Sequence, residues 1–265
     1  MVRMLSKMGT AKKHGGDRGL FGHLFRTRLF AILLVFCLLP TLSSCREHRS
    51  HFSLHNVLLF GDSYSTFTGE IPEGYASWYS PDATYTDVTS PEDTWWGILM
   101  EETRSDLLLN SSYSGSTLSH TGYHGEDNSD ISFLARAEAL CREGFFDEHT
   151  IDTVLIYGGL NDAWAGVPYG DMSREDDPYH VYPAFINLLA LLKDALPEAR
   201  VIVMVEAYLP EEMKTGLEAI AEEWEAESLR IPDVSKIDSH PDRNGMREIA
   251  DAVIGYLEKT WQNKA

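Results

Sequence analysis

The stretch Val57-Leu58-Leu59-Phe60-Gly61-Asp62-Ser63-Tyr64-Ser65 decides the fold. Its apolar half reads as a buried strand, and that strand stops abruptly at Gly-Asp-Ser. A small hydroxyl residue therefore stands at the carboxyl end of a strand, where open α/β sheets form their binding crevices. Gly61, lacking a Cβ, lets the chain leave the strand sharply. A serine in that position acts as a nucleophile only if a base and hydrogen-bond donors arrive from elsewhere in the chain. Alone, Gly-Asp-Ser is a short, weak motif that reads first as a strand followed by a polar turn, so the remaining sequence has to decide.

Four further strands are legible downstream. Leu107-Leu108-Leu109 ends at Asn110, and residues 151–157 end at Gly158-Gly159. Residues 201–205 are apolar on both faces, as a buried parallel strand requires, and a weaker strand lies near residues 228–231. Helical patterns separate them. Thr94 is placed to cap a helix carrying Trp95, Trp96, Ile98, Leu99 and Met100. Others carry Ile131, Phe133, Leu134, Ala137 and Leu140, then residues 181–196, 210–227 and 244–261. Strand and helix thus alternate, which predicts a three-layer α/β/α sandwich around a mainly parallel five-stranded sheet. The stretch 66–93, rich in Gly, Pro, Tyr and Trp, is too long for an ordinary connection and is expected to serve function. Cys141 falls in a helical pattern and is expected to be a small core residue.

The N-terminus has a different character. Phe30 to Leu39 is an unbroken apolar run between Arg26/Arg28 and Pro40. It is short of the ~20 residues of a bilayer span but suits the apolar core of a secretory signal. Leu42-Ser43-Ser44-Cys45 follows and resembles a bacterial lipobox, which would make Cys45 the lipid-modified first residue of the mature chain. The expected organisation is a signal at 1–44, a polar tether at 45–54 and one domain at 55–265, exported and held in the bacterial cell envelope by lipid on Cys45 alone. The tether histidines His48 and His51, with His55, have no carboxylate or cysteine at ligand spacing, so no metal site is expected there.

The whole chain has 22 Lys+Arg against 41 Asp+Glu, a net charge of −19. Without residues 1–44 the balance is 15 against 40, a net of −25. So acidic a domain is repelled by nucleic acid and by anionic membrane surfaces, and neither is an expected partner. Of three cysteines only Cys141 lies beyond the signal and lipid positions, so one mature chain can form no internal disulfide. Oligomeric state is left open.

Three other segments carry chemistry to the same sheet edge as Ser63. They are Asn110 to Thr117 after the second strand, Gly158-Gly159-Leu160-Asn161-Asp162 after the third, and Ile237-Asp238-Ser239-His240-Pro241 before the last helix. Acyl transfer needs a nucleophile, an imidazole base and donors aimed at the developing oxyanion, and the four segments contain that set. In their order and their places at strand ends they resemble the blocks of the SGNH hydrolases, or GDSL-type esterases and lipases. The resemblance implies Ser63 as nucleophile and His240 as general base. It implies an oxyanion hole from the N–H groups of Ser63 and Gly115 and the side-chain amide of Asn161, with no metal or organic cofactor. The family usually has an aspartate three residues before the histidine, where this chain has Ile237. Either Asp238 orients the imidazole and completes a triad, or a backbone carbonyl does so in a Ser–His dyad; Asp233 is the next carboxylate upstream.

Several neighbours have plainer readings. Ser65 is as hydroxylated as Ser63, and block alignment alone separates them. Asp62 and Asp162 are expected to tie loops together. His120 and His124 read as polar loop residues. Trp78, Tyr79, Tyr85, Trp95, Trp96, Trp164 and Tyr169 fall in or near the loops at the sheet edge. Aromatic rings with polar tips suit stacking on sugars, although Trp95-Trp96 at a helix start reads as core. The expected activity is a serine esterase acting on a small-molecule or glycan ester with a short acyl group, O-acetylated carbohydrate being the candidate. The alternatives are a lysophospholipase or thioesterase of the same family, or a catalytically silent lipid-anchored glycan-binding protein.

Overall fold

The computed structural model describes residues 52–173 and 177–262. The signal segment, Cys45 and the tether as far as His51 lie outside the described residues. Five strands, β1 (Asn56–Gly61), β2 (Asp106–Ser112), β3 (Thr153–Tyr157), β4 (Arg200–Val205) and β5 (Glu227–Arg230), form one sheet in the order β2-β1-β3-β4-β5. Every neighbouring pair is parallel. The central strands β1 and β3 are buried almost throughout, which is why they read as continuous apolar runs. The strand after residue 106 runs three residues beyond the predicted Leu109, because Asn110, Ser111 and Ser112 pair in register with Leu59, Phe60 and Gly61.

The main helices are α1 (Trp95–Thr103), α2 (Phe133–Arg142), α5 (Val181–Ala195), α6 (Glu211–Glu223) and α7 (Arg243–Gln262), with short α3 (Phe145–Glu148) and α4 (Leu160–Ala165) between them. Helix α1 packs on α7, whereas α2 packs on α5 and α5 on α6. The sheet order reverses between β1 and β3, so right-handed crossovers send α1 to one face and α2, α5 and α6 to the other. Local signals set the helix starts. The Thr94 hydroxyl accepts from the Gly97 N–H and the Ser132 hydroxyl from the Ala135 N–H.

One expectation needs correction. Cys141 is exposed, because the last turn of α2 runs past the packing that buries Phe133 to Ala137. Directly after Gly159 the chain makes a short helical turn, α4, at Leu160–Ala165. Beyond the main sheet, β6 (Lys236–Ile237) and β7 (His240–Pro241) form a small antiparallel hairpin directly ahead of α7.

Candidate active site

All four chemistry-bearing segments leave the main sheet on its carboxyl edge or reach that edge from outside. Ser63 opens a single 3₁₀ turn after β1, with the Asp62 side chain accepting from the Tyr64 N–H at 3.1 Å. Gly61 does not adopt a positive φ; its need for glycine is one of space. A Cβ there would lie 2.4 Å from the Ser65 Cβ and 2.5 Å from the Ser112 hydroxyl oxygen. Ser65 is fully buried, with Trp95 Nε1 donating to its hydroxyl and Trp96 Nε1 and Asn110 Nδ2 donating to its carbonyl. Its hydroxyl thus faces the core, whereas the Ser63 Oγ lies 2.9 Å from His240 Nε2.

His240 stands at the start of β7, and the hairpin explains the unusual spacing before it. The two loop residues, Asp238 (φ 49°) and Ser239 (φ 66°), are both left-handed, the signature of a type I′ turn. That turn directs the Asp238 carbonyl oxygen at His240 Nδ1, 3.1 Å away. The Asp238 carboxylate makes no hydrogen bond to the ring and is turned to solvent. A carbonyl can only accept, so Nδ1 carries the proton and Nε2 is free to accept from Ser63. Asp233 is also exposed and hydrogen-bonds Tyr208 instead.

Aromatic residues hold this hairpin. Trp78 stacks on the imidazole at 3.6 Å between centroids and 8° between planes. Tyr64 and Tyr79 approach the same ring edge-on. Their hydroxyls donate to the carbonyls of Ser239 and Pro241, at 2.7 and 2.8 Å. On the far side Lys236 pairs with the buried Glu206 at 3.0 Å, and Glu206 also accepts from the Tyr157 hydroxyl at 2.7 Å. Burial pulls the His240 pKa below its ordinary value, and the Lys236 charge adds to this; the Asp238 carbonyl opposes it. The imidazole is therefore neutral, as a base must be, around pH 7.

Gly115 and Asn161 are positioned by the segments that leave β2 and β3. Gly115 adopts φ +84° in the turn after Tyr113, and neither its N–H nor that of Ser63 is spent on another described residue. Asn161, in the first turn of α4, is held at both ends. Its Nδ2 donates to the Ser116 carbonyl at 2.9 Å and its Oδ1 accepts from the Tyr123 hydroxyl at 2.7 Å, leaving one amide N–H free. Asp162 is fully buried and accepts from Leu118 N–H, Ser119 N–H and the Ser119 hydroxyl, tying the Gly115 loop to α4. Burial nevertheless raises its pKa to about 6, and that of Asp62 to about 7. His120 is buried with Nδ1 on the Ser132 hydroxyl at 2.9 Å, and His124 occupies a left-handed position in a loop. Neither joins the Ser63–His240 pair. Trp95, Trp96 and Tyr79 are core, whereas Tyr85, Trp164 and Tyr208 are among the most exposed large rings. Among the described residues no cluster of metal-ligating side chains is present.

Sequence reasoning missed Trp78 as a partner of the imidazole, Tyr123 as the clamp on Asn161, and the Glu206–Lys236 pair. The hairpin had a signal: Asp238-Ser239 is a two-residue turn between a strand-like dipeptide and the histidine.

A parallel sheet of order 2-1-3-4-5, with a serine–imidazole pair at the reversal between β1 and β3, is the architecture of an SGNH-type hydrolase. The chain belongs to the GDSL-like lipase/acylhydrolase family, whose model matches residues 55–257, and is an ester-hydrolysing enzyme. It is similar to a protein from Bacteroides uniformis designated a GDSL-like lipase, at 37% identity and a TM-score of 0.71 over 77% of this chain and 96% of that one. A second such protein, from Bacteroides ovatus, is 32% identical with a TM-score of 0.71 over 78% and 99%. A family two carbohydrate esterase from Clostridium thermocellum, solved with cellohexaose, shares the fold at 14% identity and a TM-score of 0.57, over 80% and 66%. No curated protein matches the chain.

Proposed function

We propose that the chain is a serine esterase using a Ser63–His240 dyad. The observation that carries this reading is the 2.9 Å contact between Ser63 Oγ and His240 Nε2. His240 takes the Ser63 proton as the hydroxyl oxygen attacks the ester carbonyl carbon. The resulting oxyanion is met by the N–H groups of Ser63 and Gly115 and by the free amide N–H of Asn161. Collapse expels the alcohol, which takes its proton from His240, and leaves an acyl-enzyme. His240 then activates water to release the acid. The Asp238 carbonyl keeps the proton on Nδ1 and accepts from the imidazolium. The stacked Trp78 ring favours the same cation through its π face.

The substrate proposed is a carbohydrate ester with a short acyl group, acetate above all. Exposed Tyr85, Trp164 and Tyr208 offer rings with polar tips, the type of surface on which sugars stack. Export and lipid attachment at Cys45 remain part of the proposal; labelling with a palmitate analogue should be lost in Cys45→Ser, and retained labelling would refute it.

Ser63→Ala should abolish both p-nitrophenyl acetate turnover and labelling by a fluorophosphonate. Asn161→Ala should lower kcat by about 10²–10³. Wild-type-like rates in Ser63→Ala would overturn the assignment. Release of acetate from acetylated xylan, with p-nitrophenyl ester rates falling as the acyl chain lengthens, supports the substrate class; preference for long acyl chains refutes it.

A further inference from the structure

Beneath the donor loops lies a titratable group that the mechanism above does not use. Arg136, in the first turns of α2, is only 1% exposed, and no acidic side chain among the described residues stands within ion-pair distance of it. Its Nε donates to the Ile131 carbonyl at 2.9 Å. One corner, Nη2, donates both to the Gly61 carbonyl and to the Ser116 hydroxyl, each at 3.1 Å. Nη1 is buried without a partner. The guanidinium carbon lies 4.5 Å from the Phe133 ring centroid and 6.0 Å from that of Phe60, so aromatic faces rather than carboxylates surround the charge.

An unpaired buried cation is costly, and an apolar side chain would fill the space under α2 at less cost. Its partners indicate what the arginine contributes. Gly61 lies two residues before Ser63, whose N–H faces the oxyanion. Ser116 follows Gly115, the second donor, and its carbonyl accepts from Asn161, the third. A single nitrogen therefore ties together the two loops from which all three donors are set. Asp62, the carboxyl whose charge acts on Arg136, is itself buried and pushed up to about 7, so it neutralises Arg136 incompletely around neutrality.

We propose that Arg136 is a positioning residue of the oxyanion hole, holding the Ser63 and Gly115 loops in register from below and lending a buried positive charge to the tetrahedral intermediate. The inference rests on the esterase reading of the same site. It is tested in the full chain with Arg136→Met, which keeps the bulk without charge, Arg136→Lys, which keeps charge without the fork, and Ser116→Ala, which removes one acceptor. The measurements are kcat and KM for p-nitrophenyl acetate, the affinity of phenylboronic acid as a tetrahedral-adduct probe, and the melting temperature. In Arg136→Met, kcat should fall about 10²-fold and boronate affinity should fall in parallel, with KM within about twofold. Arg136→Lys should recover roughly tenfold of that loss, and Ser116→Ala should lose about tenfold in kcat with an unchanged melting temperature. A purely structural arginine would lower the melting temperature yet leave kcat and boronate affinity of the folded enzyme unaltered, and that result overturns the proposal. Should Arg136→Met fail to fold, wild-type kcat and boronate affinity in both Ser116→Ala and Arg136→Lys overturn it equally. Ser63→Ala separates the two levels. If it remains active the esterase reading fails, whereas an inactive Ser63→Ala beside a fully active Arg136→Met refutes only the role of Arg136.

Discussion

His240 is oriented by a backbone atom, and this changes what a mutation at Asp238 should do. The loss of an essential triad carboxylate costs about 10⁴ in kcat. Here the carbonyl of residue 238 faces Nδ1, and a carbonyl survives any side-chain change that preserves the turn. Asn tolerates the left-handed conformation that Asp238 adopts, so Asp238→Asn keeps the backbone geometry while deleting the charge. We expect it to hold kcat within about tenfold of wild type; a loss near 10⁴ would show that the carboxylate acts after all. At the same scale, Ser63 and Ser65 are separated by surroundings rather than by chemistry. Ser65 has two indole N–H groups and an asparagine amide directed at it, whereas Ser63 faces the imidazole.

The β6–β7 hairpin carries His240 without belonging to the main sheet. Two strand residues on each side cannot stabilise it alone. Its support is tertiary: tyrosine hydroxyls on the carbonyls of Ser239 and Pro241, Trp78 across the imidazole, and Lys236 on Glu206 at the end of β4. Because Glu206 is 1% exposed, removing its cation leaves a buried carboxylate with only Tyr157. Lys236→Met should therefore destabilise the protein by about 3 kcal/mol in denaturant unfolding, and a change below about 1 kcal/mol would mean that the pair is dispensable. Helix α2 provides the matching support for the Ser63 and Gly115 loops through Arg136, on the Gly61 carbonyl and the Ser116 hydroxyl.

For the molecule as a whole, the buried carboxyls make stability depend on pH in an uncommon direction. Burial raises Asp62 from 3.8 to about 7, so the folded chain keeps a proton that the unfolded chain releases on rising through pH 4. The stability so contributed is complete below about pH 4 and is lost as pH climbs to about 7. Asp62→Asn preserves the acceptor for the Tyr64 N–H and cannot ionise. Its unfolding free energy relative to wild type should rise across that window, by up to about 1.4 kcal/mol per pH unit. Parallel curves for the two proteins would show that Asp62 does not titrate there. Asp162, raised to about 6, adds to the wild-type slope in the same direction.

Much of this protein is legible in its residues. The apolar runs of β1, β3 and β4 and the helical spacing between them specify the α/β sandwich, because burial on both faces leaves a plain mark on composition. Ser63, Gly115, Asn161 and His240 stand out in the sequence because each follows a strand or precedes a helix, and the parallel order brings these element ends to one edge. The ring partners of His240 are not, since Trp78 and Tyr79 lie over 160 residues away in a loop that carries no periodicity. The exposure of Cys141 also escaped the pattern, because spacing along a helix does not reveal where the neighbouring layer ends. What the sequence determined by itself was the order of elements and the placement of Ser63, Gly115, Asn161 and His240 beside their ends. Tertiary structure alone decided which serine meets the imidazole, that the carbonyl rather than the carboxylate of Asp238 faces the ring, and that a buried arginine ties the Ser63 and Gly115 loops together. The physical reason is the same in each case: these outcomes depend on distances between atoms far apart in the chain, which local propensity and periodicity do not encode.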